Sequence, residues 1–144
     1  MNVAFFITPK SQVCYLYDDF TLRQCLEKMR FHGFAAIPVI NRQGHYVGTI
    51  SEGDLLWRLV GSGSEDLHII DVKNTEEIYV RDLLRLDRRP PARITATVEE
   101  LLSKSMDQNF IPVIDDEDVF IGIVTRKSII RYFTDKLSSA KDKK

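Results

Sequence analysis

The sequence is poor in the residues that would mark a specialised class. Only two cysteines, Cys14 and Cys25, stand among 144 residues, and they form no CxxC pair. A disulfide framework and a cysteine-based zinc site are thereby excluded, and both thiols are expected to be reduced, packed as small apolar side chains. No apolar run approaches the ~18 residues of a membrane span. Residues 1–7 are followed at once by Thr8-Pro9-Lys10 and lack the basic leader of a secretory signal, so a soluble cytoplasmic protein is expected. Charge of one sign is missing too: Lys and Arg number 20 against 21 Asp and Glu, a net charge of −1. There is no basic surplus for a nucleic acid backbone. His32, His45 and His68 are scattered without the spacing of a metal set. The 44% hydrophobic content is what a folded chain needs.

What is present is a repeat. Ile37-Pro38-Val39-Ile40 returns as Ile111-Pro112-Val113-Ile114, an offset of 74 residues, and Gly48-Thr49-Ile50-Ser51 returns at the same offset as Gly122-Ile123-Val124-Thr125. Leu55, Leu56 and Leu59 then map onto Ile129, Ile130 and Phe133. Upstream the offset is 76: Thr21-Leu22-Arg23-Gln24 and Thr97-Val98-Glu99-Glu100 both read as capping boxes, in which Thr accepts from a free helix amide and Gln or Glu reaches back. Leu22, Cys25, Leu26 and Met29 follow on one helical face, and Val98, Leu101, Leu102 and Ser105 repeat that spacing. The two-residue difference therefore falls between Met106 and Phe110.

Each half reads strand, helix, strand, strand, helix, with hairpin turns at residues 41–44 and at Asp115-Asp116-Glu117-Asp118. Four acids in a row suit a solvated turn better than a metal site, which needs ligands converging from a shaped loop. The expected division is a first repeat with its N-terminal segment over residues 1–60, a flexible polar linker over 61–77 around Gly61-Ser62-Gly63-Ser64, a second repeat over 78–135, and a frayed polar tail over 136–144. Residues 78–86 read as a short helix broken by Arg88-Arg89-Pro90-Pro91. The basic stretch Arg81, Arg85, Arg88, Arg89 and Arg93 is interrupted by Asp82 and Asp87 and reads as a solvated face. Neither half carries enough apolar surface to be stable alone, so the two are expected to pack together.

A duplicated pattern with Pro-Val in one strand and Gly-x-x-Ser/Thr before the last helix resembles the CBS domain, over residues 10–135. The resemblance implies an α/β (α+β) fold of two tandem βαββα repeats packed with pseudo-twofold symmetry. It also implies a regulatory pair, the Bateman module, with an adenosine nucleotide in the cleft between repeats. Gly48-Thr49-Ile50-Ser51-Glu52-Gly53-Asp54 matches the family's nucleotide signature, in which the hydroxyl and the carboxylate contact ribose. In Gly122-Ile123-Val124-Thr125-Arg126-Lys127-Ser128 a serine replaces the aspartate. Local physics offers a second account of Ser51 and Asp54, because a hydroxyl and an acid at a strand-to-helix junction also cap the helix. Asp54 is expected to be a ribose ligand first and a helix-terminal residue in passing. Arg126 and Lys127 oppose the helix dipole, a cost that a bound phosphate would remove.

By the same resemblance, one site would combine Val13, Cys14, Phe34, Ala35 and Ala36 with Thr125, Arg126, Lys127 and Ser128, bordered by Phe34 or Tyr15. The other would combine Ile94, Asn109, Phe110 and Ile111 with Ser51 and Asp54. Expected ligands are AMP, ADP, ATP or cyclic di-AMP. The expected partners are a regulated protein and a second copy of the chain, through helices carrying Trp57 or Tyr132, with no membrane or nucleic acid. No cofactor or metal is expected. No P-loop, nucleophile–base pair or metal-ligand cluster points to an enzyme. The alternative is a structural or protein-interaction module in which Ser51 and Asp54 act only as caps.

Overall fold

The computed structural model describes residues 3–33, 35–60, 74–84 and 89–142. In chain order its elements are β1 (Ile7–Pro9), β2 (Leu16–Tyr17), α1 (Leu22–His32), β3 (Ala36–Ile40), β4 (Tyr46–Ser51), α2 (Glu52–Val60), β5 (Ala92–Arg93), α3 (Val98–Ser105), β6 (Phe110–Ile114), β7 (Phe120–Thr125) and α4 (Arg126–Asp142). The fold is mixed α+β, and each repeat follows the expected order of strand, helix, strand, strand, helix. Two compact units result, one of Cys14–Arg88 and one of Met1–Val13 with Arg89–Lys144.

In the first unit β2 lies parallel to β3, and β3 antiparallel to β4. In the second unit β5, β6 and β7 repeat this, and the register carries the repeat down to single pairs. Pro38 faces Thr49 where Pro112 faces Ile123, and both hairpins slip register at the same place, after Val39 and after Val113. Helix α1 starts at the expected box, Thr21 Oγ1 accepting from Gln24 N (3.2 Å) and Gln24 Oε1 from Thr21 N (2.8 Å). At α3 Thr97 accepts from Glu100 N at 3.2 Å. The acidic run builds a turn: Asp115 Oδ1 accepts from the amides of Glu117 and Val119, as Asn41 Oδ1 does from Gln43 and His45. Asp118 also pairs with Arg93 at 3.0 Å. Each core is local: Leu16, Leu22, Cys25, Ile37, Val39 and Ile50 fill the first unit, and Leu101, Ile111, Val113 and Val124 the second.

The division of the chain departs from the expected one in how the leader segments are used. Residues ahead of the first repeat join the second: β1 pairs antiparallel with β7, Pro9 opposite Gly122, while Val3 and Phe6 are buried in the second core. Residues ahead of the second repeat join the first. Val80 is fully buried in the first core and its amide donates to the Phe20 carbonyl at 2.8 Å, while the Leu22 amide donates to the Ile78 carbonyl at 2.7 Å. Each leader thus supplies apolar side chains and backbone partners to the repeat it does not precede in sequence.

Two other expectations are corrected. The helix expected over 78–86 is, within the described residues, a single 3-10 turn at Val80–Asp82, because its backbone groups are taken by α1's approach strand. The tail is helical as far as Asp142, as the continuation of α4. The expected linker lies outside the described residues up to residue 73, after which Asn74–Glu76 form a 3-10 turn.

Of the two motif glycines, Gly122 is required by this exchange. A Cβ on Gly122 would overlap the Thr8 carbonyl oxygen and press on Ile7, whereas one on Gly48 would meet only the flexible end of Leu84, at 2.8 Å. Gly122→Ala is therefore expected to cost about 3 kcal/mol, and Gly48→Ala about 1 kcal/mol, in urea unfolding. Equal losses would contradict the backbone contact at Gly122.

Candidate functional site

In each repeat the second hairpin strand ends on a hydroxyl that begins the following helix. Ser51 Oγ accepts from the Asp54 amide (3.1 Å), while Asp54 Oδ2 accepts from both the amide (3.0 Å) and the hydroxyl (2.9 Å) of Ser51. Asp54 is only 7% exposed. It is a reciprocal cap of α2, and a ribose would have to be gripped by a carboxylate already holding two donors. In the second repeat Thr125 Oγ1 accepts from the Ser128 amide (3.1 Å), and Ser128, lacking a carboxylate, donates back to the Thr125 carbonyl (2.8 Å).

The start of the first hairpin strand is stitched to the same helix. The Glu52 amide donates to the Ala35 carbonyl at 2.9 Å, and the Arg126 amide to the Asn109 carbonyl at 3.2 Å. Ala36 is also paired with Ser51, and Phe110 with Thr125, across the hairpins. Each unit therefore gathers its own strand-start and helix-start candidates at one corner. Ala35 is exposed and Ala36 half-buried in the first unit; Asn109 is exposed and Phe110 half-buried in the second.

The family resemblance divides Asn109 and Arg126 between two sites, yet they are bonded in the structure. Arg126 Nη1 donates to Asn109 Oδ1 at 2.8 Å, Nε to the Ser105 carbonyl at 2.6 Å, and Nη2 to the Met106 carbonyl at 3.1 Å. The last two acceptors are the free end of α3. Helix α1 ends differently, on Gly33 in the left-handed region (φ 68°), whose amide donates to the Met29 carbonyl at 2.8 Å. Residues 98–110 contain no glycine, and α3 ends at Met106 in right-handed conformation. A guanidinium at the negative end of α3 supplies the missing donors. This explains the sign reversal from Glu52 to Arg126 without a ligand, since a glutamate has no proton to give a carbonyl. The partners of Arg126 were missed by sequence reasoning; the missing glycine was the signal.

Lys127 is exposed beside Arg126 and forms no ion pair among the described residues. Val13 is half-buried and closes a 3-10 turn, its amide donating to the Lys10 carbonyl at 3.1 Å. Ile94 is partly exposed, and Ile111 is 1% exposed inside the second core. Tyr132 packs edge-on against Phe6 at 4.9 Å. Phe34 and the Trp57 side chain lie outside the described residues.

The sequence pattern of the CBS domain matches residues 7–61 and 80–135. The chain belongs to the CBS-domain family. An uncharacterized protein of Methanocaldococcus jannaschii is 28% identical over 141 residues, covering 80% of this chain and 82% of its own. Cyclic di-AMP receptor B of Bacillus subtilis is 23% identical over 130 residues, covering 90% of this chain and 84% of that protein. CbpB in complex with cyclic di-AMP superposes with a TM-score of 0.84 at 25% identity, over 100% of this chain and 91% of that one. No described helix is long and apolar enough to cross a membrane.

In this CBS pair the cysteines are placed against reactivity. Burial pushes the Cys25 thiol up to about 12, and burial also raises Cys14, with Lys28 opposing. Both stay protonated at neutral pH, and the thiolate is the nucleophile. In the folded protein at pH 8, both are expected to react with a disulfide reagent more slowly than in denaturant; equal rates would refute the packing of Cys25. For the first-repeat cap, Asp54→Ala is expected to lower unfolding stability by about 1–2 kcal/mol, and Asp54→Asn by less because an acceptor remains. An unshifted urea midpoint for Asp54→Ala would overturn the capping role.

Proposed function

We propose that the protein is a non-catalytic regulatory module that binds a phosphorylated adenosine compound, with cyclic di-AMP the favoured ligand and AMP, ADP and ATP its competitors, and signals its occupancy to a partner protein. The observation that carries the reading is the polar corner where α4 begins. Lys127 is exposed there, at a helix N-terminus whose dipole favours anions. Of the five N–H groups of a guanidinium, Arg126 commits three to α3 and Asn109, and the others remain for a phosphate oxygen. The corresponding corner of the first repeat carries Glu52 and repels an anion.

Family membership and the likeness to two proteins named for cyclic di-AMP support the ligand class. A homodimer accompanies the reading. Leu56 (60% exposed) and Ile130 (65% exposed) occupy equivalent positions on α2 and α4, apolar positions that a second copy would cover. The mechanism is linkage: ligand stabilises one state of the module, and the partner binds that state differently.

A thermal-shift series with cyclic di-AMP, AMP, ADP, ATP, the guanine analogues and unphosphorylated adenosine tests the reading. The phosphorylated adenine compounds are expected to raise the melting temperature in a concentration-dependent way. Lys127→Ala is expected to leave the ligand-free melt unchanged and weaken the best ligand by about 1–2 kcal/mol. No shift with any of these compounds would favour the alternative, a protein-interaction module without a nucleotide.

A further inference from the structure

We infer that Arg126 is a positioning residue and that the group it positions, Asn109, reads the phosphate. The inference deepens the nucleotide reading above and rests on it. An asparagine carboxamide can offer either its oxygen or its nitrogen to a ligand, and the two ends differ little in shape. Here the choice is made by chemistry. A guanidinium can only donate, so the end of Asn109 that meets Arg126 Nη1 at 2.8 Å must be the oxygen. The Arg126 amide also holds the Asn109 carbonyl at 3.2 Å. Backbone and side chain of Asn109 are thus fixed by one residue.

The outcome is an exposed residue whose acceptors are both occupied and whose NH2 group has no partner among the described residues. The group that Asn109 leaves unpartnered is a donor, its NH2. Its neighbours share that character: the spare N–H groups of Arg126 and the ammonium of Lys127 donate and do not accept. A corner dominated by unpartnered donors selects a ligand that accepts there, and a phosphate with its anionic oxygens is such a group. The same clamp joins the ligand to α3, because Arg126 also closes the carbonyls of Ser105 and Met106. A phosphate oxygen on Asn109 therefore tightens a connection that already runs through the guanidinium to the end of α3.

The decisive variant is Asn109→Asp. It has the same shape, keeps an oxygen for Arg126 and turns that bond into an ion pair, but replaces the outward donor with an acceptor. The ligand-free melting temperature is expected to hold or rise, while affinity for cyclic di-AMP and AMP falls by about tenfold or more and affinity for adenosine stays constant. Arg126→Lys keeps the charge but cannot span three acceptors. It is expected to lower the ligand-free melt, to weaken nucleotide, and to be non-additive with Asn109→Ala in a double-mutant cycle on affinity. Asn109→Ser replaces Asn109→Asp in the titrations if the latter does not fold, with a smaller expected loss.

Wild-type affinity in Asn109→Asp, or additivity between positions 126 and 109, overturns the inference while leaving a nucleotide site in place. Failure of the wild type to bind any of the three probes overturns the nucleotide reading itself, and the ligand role of Asn109 with it. The ligand-free melt of Arg126→Lys separately upholds or refutes the clamp on α3.

Discussion

The pairing of β1 with β7 over Gly122 is the constraint on which the second unit depends. A strand edge presents unpaired amides and carbonyls, and β7 has only β6 to satisfy it from within its own repeat. The leader covers the other edge and brings Val3 and Phe6 into a core that is otherwise short of large side chains. The backbone can approach so closely only because position 122 has no Cβ. The glycine of the nucleotide signature is therefore a packing residue before it is anything else. In the first repeat Gly48 serves a looser version of the same need, beneath Leu84.

From the end of β7 the chain passes directly into the corner where Thr125, Arg126 and Lys127 stand. The two corners of the duplicated fold share a backbone and differ in chemistry. The first is closed on itself by Ser51 and Asp54, with a glycine ending its preceding helix. The second has lost the carboxylate and the glycine together. An arginine performs the helix-ending task, and the serine at position 128 leaves the helix start less fully satisfied. Two corners that share a backbone thus differ in that one is self-contained and the other is rich in donors.

Much of this was legible in the sequence. The offset of 74 predicts the hairpin registers pair by pair, because β pairing has a period of two and tolerates no slip where both faces are occupied. The capping box at Thr21 was readable because it is local. The leader exchange was not: nothing in residues 3–9 or 78–84 states which sheet they join, since pairing partners are chosen by three-dimensional proximity. The role of Arg126 was hidden for a related reason. Its first-turn position is unfavourable when only its own helix is considered, and becomes favourable once the end of α3 is beside it.

The exchange of leaders also bears on the order in which the chain can fold as it is made. All of Cys14–Arg88 is contiguous, so the first unit has every strand and core residue it needs once its own segment has been synthesised. The second cannot close until β7 appears, and its partner β1 precedes the other described strands. Strand β1 must therefore wait without this partner until the residues of β7 have been made. A contact spanning that much chain is slow to form and leaves an open strand edge in the interim. Its short length and its closing proline, which removes one amide from that edge, limit the hazard of the wait.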